Sequence, residues 1–151
     1  MFKKIFILLL LSLILSSCGY VAIYKNAVEF NYKILVAEHT GDRDMRNLIN
    51  SQLERYSEIK SDKIFIIKIN TIYLKNIIAK DAAGKATDYQ IKVTSNFNIK
   101  SEVVNKIIKI NETFNVKSVD NKFEEQTYDT IIKNNMANAI VKKIILQLSR
   151  N

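Results

Sequence analysis

The side chain best placed for covalent chemistry is that of Cys18, the only thiol among 151 residues. It follows two small residues, Ser16 and Ser17, which close a run from Ile5 to Leu15 that is apolar but for Ser12. Lys3 and Lys4 stand ahead of that run. A charged start, an apolar stretch of this length and small residues before a cut site make a secretory signal peptide. The stretch is too short to span a bilayer, which takes about 20 residues.

Little else in the chain offers reaction chemistry. His39 is the only histidine, which excludes histidine-rich metal sites, and it reads as a loop histidine without a role. No glycine-rich phosphate loop and no Gly-x-Ser-x-Gly elbow occurs. Glu124 and Glu125 are adjacent, so a helix points them apart. They read as a solvated helix start favoured by the macrodipole, not as a catalytic pair. Asn111-Glu112-Thr113 matches a glycosylation sequon but lies within a strand pattern, and it carries no weight. The expectation is a protein that is not an enzyme, with no catalytic residues, no metal site and no cofactor.

Leu15-Ser16-Ser17-Cys18 resembles the lipobox of bacterial lipoproteins. The resemblance implies diacylation of the Cys18 thiol, cleavage before it and acylation of the new amino terminus. Each buried CH₂ of such a chain, palmitate for example, contributes about 0.8 kcal/mol, and stable anchoring takes more than one chain. Three chains on Cys18 make a lasting tether. Gly19 stands where an Asp retains many Gram-negative lipoproteins in the inner membrane, so the expected location is the outer membrane, facing the periplasm. With Cys18 acylated no disulfide can form despite the oxidising compartment. The core must then hold by packing. The organisation expected is a signal peptide at 1–17, an anchor and lead at 18–31, and one domain at 32–151.

Nearly half the residues are apolar (48%) and a quarter are charged (25%), as in an ordinary globular domain. The formal charge of +8 falls to +6 once Lys3 and Lys4 leave, and the lysines are spread rather than clustered. Anionic partners suit that balance, and export excludes nucleic acid. Proline is absent and glycine occurs three times, so turns rely on Asn, Asp and Ser.

The elements that must position any site follow from periodicity. Tyr32 to Ala37 is a compact strand, broken by Glu38 to Asp42, with Thr40 or Asp42 as helix cap. Met45, Leu48, Ile49, Leu53, Tyr56 and Ile59 recur at helical spacing over about 17 residues. Ile64 to Ala79 is a long strand with apolar residues on both faces, both expected to be covered over part of its length. Lys80 to Thr87, with Gly84, is a hairpin loop. Tyr89, Ile91, Val93, Phe97 and Ile99 then alternate with polar residues, as do Ile108, Ile110, Phe114 and Val116 after a turn at Ser101–Lys106. One sheet face is expected to be apolar and the other rich in Lys, Asn and Thr. A closing helix carries Ala137, Ile140, Val141, Ile144, Ile145 and Leu148 as a stripe. Tyr128, Ile131, Ile132 and Met136 lie off it. The order β-α-β-β-β-α predicts an α/β fold, with two helices packed on one face of a four-stranded mixed sheet.

Three segments resemble the LptE family of outer-membrane lipoproteins that assemble lipopolysaccharide. They are Cys18-Gly19-Tyr20, the hairpin Lys80-Asp81-Ala82-Ala83-Gly84-Lys85 leading into Ala86-Thr87-Asp88-Tyr89-Gln90, and the basic, Ile-rich end Val141–Leu148. The resemblance spans nearly the whole mature chain. It implies a protein that plugs the lumen of an LptD-type β-barrel, assists its assembly and binds lipopolysaccharide. The family places basic ligand-binding residues on the hairpin and near the start of the last helix. Here those positions align near Ala82 and Glu125, so Lys80, Lys85 and Lys122 are the residues that would substitute. A sheet face bearing Lys92, Asn96, Asn98, Lys109, Asn115 and Lys117 suits the polar interior of such a barrel, and suits open water equally. The alternative is another small periplasm-facing lipoprotein, a transport accessory or cell-wall-synthase activator.

Overall fold

The computed structural model describes residues 32–150. The signal peptide, Cys18 and the lead to residue 31 lie outside the described residues. The elements are β1 (Lys33–Gly41), α1 (Arg43–Glu54), β2 (Ile64–Lys80), β3 (Ala86–Lys100), β4 (Asn105–Lys117) and α2 (Lys122–Leu148). The four strands form one sheet in the order β1-β2-β3-β4. β1 and β2 are parallel, while β2–β3 and β3–β4 are antiparallel. Both helices pack on one face, which makes the two-layer α/β arrangement that the element order predicts.

The core lies between the helices and that face. Phe65, Ile67 and Ile69 of β2 and Ile91, Val93, Phe97 and Ile99 of β3 are buried there. Met45, Ile49 and Leu53 of α1 cover them with the α2 stripe from Ile132 and Met136 to Leu148. Phe97 and Ile144 are both fully buried, as the alternation and the helical spacing require. At its start α2 buries Ile132 and Met136, while Tyr128 and Ile131 remain exposed. No helix among the described residues is long and apolar enough to cross a membrane.

Two boundaries differ from the sequence expectation. β1 does not stop at Ala37 but bulges there and continues to Gly41. The polar residues that suggested a break are each paired: Glu38 with Lys68 at 3.0 Å, and Thr40 with Asn70 at 2.8 Å. Gly41 (φ +101°) ends the strand against Thr71, where an added Cβ would lie 1.9 Å from the Thr71 carbonyl oxygen. Asp42 is the helix cap, accepting from the Met45 amide at 2.9 Å. α1 is also shorter than about 17 residues, running 12. Tight bonds from Tyr56 N to Leu53 O and from Ser57 N to Glu54 O close it. The Tyr56 carbonyl then accepts the Ile34 amide at 3.1 Å, which draws the chain onto the outer edge of β1.

Candidate functional site

The hairpin between β2 and β3 is built on Asp81. Its carboxylate accepts the amides of Ala83 and Lys85, both at 2.9 Å, and Gly84 takes the left-handed turn (φ +83°). The loop is therefore preformed, with Lys80 at the end of β2 and Lys85 beyond the turn, both exposed. The link from β4 to α2 is tied to the same end, because Ser118 N donates to Thr87 O at 2.7 Å. Lys85 forms an ion pair with Asp120, which raises the lysine pKa and lowers that of Asp120. Asn121 caps α2 by accepting from the Phe123 amide, and Lys122 is its exposed first residue. The structure thus gathers Lys80, Lys85 and Lys122 at one end of the sheet, though from different elements. Exposed Ile77, Ile78 and Phe123 share that end. Sequence reasoning missed Asp120, whose pairing takes part of the charge of Lys85 out of play.

The second candidate surface is the sheet face opposite the helices. Alternate residues of β3 and β4 place Lys92, Asn96, Asn98, Lys109, Asn115 and Lys117 on it. Several of its polar groups pair across strands: Thr94 donates to Asn111 at 2.8 Å and Gln90 to Asn115 at 3.3 Å. This face is not uniformly polar, however. β2 adds Ile64, Ile66, Ile72 and Leu74, which are 39–48% exposed, and β1 adds Leu35. Among the described residues nothing covers this second apolar face of β2, where partial cover was expected. Lys68 and Asn70, each paired to β1, divide it into a Leu35–Ile64–Ile66 patch and an Ile72–Leu74 patch.

Under the helices lies a row of polar groups. His39 belongs to β1, not to a loop, and both ring nitrogens are engaged. Nδ1 lies 2.6 Å from Asn50 Oδ1, and Nε2 lies 2.9 Å from Thr71 Oγ1. Because Asn50 Oδ1 only accepts, Nδ1 carries the proton and the neutral ring accepts from Thr71. Thr71 in turn meets Ser95 Oγ at 2.9 Å. Burial, with help from Arg46, holds His39 below its ordinary pKa although its bond to Asn50 opposes that shift. Thr71 and Ser95 are fully buried, so the row pins α1 and three strands together. The role missed in the sequence is structural.

A second set of contacts fixes the start of α2 over β2. Lys75 pairs with Glu125 at 3.2 Å, and Lys133 bridges Asp44 at 2.8 Å and Asp129 at 3.2 Å. Glu125 is thus engaged, whereas Glu124 is exposed. Tyr73 donates to Asp129 at 3.3 Å, and burial first, then that carboxylate, pushes its pKa up to about 12.

No protein-family model and no curated protein matches the sequence. Solved structures do match in shape. Rare lipoprotein B from Shewanella oneidensis superposes with a TM-score of 0.56 at 10% identity, over 79% of this chain and 96% of that one. An uncharacterized lipoprotein B from Nitrosomonas europaea gives a TM-score of 0.51 at 13% identity, over 78% and 84%. This chain therefore shares its fold, two helices on one face of a four-stranded mixed sheet, with bacterial lipoproteins of the rare lipoprotein B type.

Proposed function

We propose that the chain is an outer-membrane lipoprotein that acts as LptE-like proteins do. Acyl chains on Cys18 anchor it in the periplasmic leaflet. The domain plugs an LptD-type β-barrel and assists its assembly, and the hairpin end binds lipopolysaccharide on its way to the outer leaflet. The role is binding and assembly, without a catalytic step. The observation that carries this reading is a lipobox cysteine ahead of a domain whose described residues leave one sheet face uncovered. An uncovered face with cross-strand amide and hydroxyl pairs suits the polar wall of a large barrel. Lys80, Lys85 and Lys122 stand beside exposed Ile77, Ile78 and Phe123, a combination that suits a ligand with both phosphates and acyl chains.

The aliphatic patches along β2 favour a second reading. Ile72 and Leu74 suit a protein partner with an apolar surface better than a wet lumen, as in a transport accessory or cell-wall-synthase activator. One experiment separates the two readings: affinity purification of the full chain from detergent-solubilised membranes. A large β-barrel at equal stoichiometry supports the first reading, and a cell-wall synthase supports the second. Recovery of the intact chain with neither contradicts both.

A further inference from the structure

The end of the domain opposite the hairpin presents a different surface. There the β3–β4 turn, the starts of β1 and β2 and the last turn of α2 come together. Lys33 is the Cα partner of Ile64, and Ile66 that of Lys100. Tyr32, where the lead joins the domain, bonds through its hydroxyl to the Ile145 carbonyl at 3.2 Å. The β3–β4 turn is closed on itself, because Ser101 N donates to Val104 O at 2.7 Å and Val104 N to Ser101 Oγ at 3.1 Å. Val104 packs against the core, and the turn pushes Val103 outward to 83% exposure. Ile107, on the adjoining strand, is 73% exposed. Lys100 and Lys106 flank the turn, and neither has an ion-pair partner among the described residues. Glu102 is the acid of the turn.

We propose that this turn is a membrane-contacting tip. Val103 and Ile107 enter the headgroup region of the anionic leaflet that holds the Cys18 lipid, and Lys100 and Lys106 meet its phosphates. The inference rests on the lipoprotein reading above. Reach supports it: the 13 residues between Cys18 and Tyr32 extend at most about 45 Å. β2, with 17 residues, is about 55 Å long. The tether joins the domain at its Tyr32 end, and an upright domain then keeps the hairpin tip, about 55 Å away, off that leaflet. The Ser101–Val104 bonds hold the turn in the shape that presents Val103. Lysines beside an apolar tip add attraction to anionic headgroups, reduced by salt.

The test uses the full lipidated chain, in which acylated Cys18 leaves an introduced cysteine as the only reactive thiol. Val103→Cys and, on the hairpin, Ala83→Cys are each labelled with an environment-sensitive fluorophore. Each is reconstituted in phosphatidylethanolamine–phosphatidylglycerol vesicles that carry a quencher on the lipid acyl chains. The label at 103 should shift to the blue and lose most of its emission to the quencher, and the label at 83 should do neither. Adding Lys100→Glu and Lys106→Glu should weaken the quenching at low salt. A chain that floats with the vesicles but is quenched no more at 103 than at 83 overturns the inference and leaves the lipoprotein reading standing. A chain that does not float, with Cys18 itself open to the label, overturns both.

Discussion

Gly41 shows how one residue fixes the end of β1. Its backbone lies in the left-handed region, and any side chain would run into the Thr71 carbonyl. Gly41→Ala therefore meets both strain and a backbone that cannot yield, and should cost upwards of about 2 kcal/mol in denaturant unfolding. An unchanged midpoint would contradict the close packing of β1 on β2. His39 sits two residues earlier and makes stability depend on pH. Its folded pKa lies below the ordinary 6.5, so the unfolded chain binds a proton more readily than the folded one. The stabilisation it gives is present above about pH 6.5 and is lost as pH falls toward the depressed folded value. The denaturation midpoint should decline from about pH 6.5 to pH 5, before most carboxylates titrate, and His39→Gln should flatten that slope. The same slope in parent and variant would remove His39 from the account.

At the scale of elements, what was legible in the sequence depended on whether a residue's partner was local. β3 was plain because Ile91, Val93, Phe97 and Ile99 alternate with polar residues over one covered face. The extension of β1 was not, since Glu38, His39 and Thr40 look like a break until Lys68, Thr71 and Asn70 are brought beside them by the parallel pairing. The early end of α1 was hidden too: no Gly or Pro marks it, and the Tyr56–Ile34 bond that holds the chain just past it is a tertiary contact. In β2 both apolar sets were visible, but two short-range patterns cannot say which one the helices will cover. The pairs Lys75–Glu125 and Lys133–Asp44 join elements far apart in sequence and left no local signal. The packing of α2 on β3 is tested by Phe97→Ala and Ile144→Ala. Each should destabilise by about 2–5 kcal/mol with the unfolding cooperativity retained. Midpoints equal to the parent at both positions would contradict the buried face assigned to each element.

For the molecule as a whole, the two ends and the open face divide the work. The lead joins the domain at the Tyr32 end, the hairpin end gathers Lys80, Lys85 and Lys122, and neither helix covers the sheet face between them. The hairpin was readable from Gly84 between two strand patterns, whereas the three lysines were named only through the family resemblance. The pairing of Lys85 with Asp120 was not readable. Exposed lysines contribute little singly and are screened by salt. Replacing Lys80, Lys85 and Lys122 together by Ala should therefore leave folding and barrel association intact while lowering lipopolysaccharide affinity and its salt dependence. Equal binding by triple variant and parent in a low-salt titration would remove the hairpin end as the ligand site. The central claim is that the open sheet face lies against a β-barrel. Photo-crosslinking in living cells tests it most directly, with the reactive group placed at Leu74 or Thr113 on that face and, for comparison, at exposed Asn138 on α2. An adduct with a large outer-membrane β-barrel is expected from Leu74 and Thr113, at a yield no lower than from Asn138. Adducts to the barrel from Asn138 alone, or to no barrel from any of the three, would contradict it.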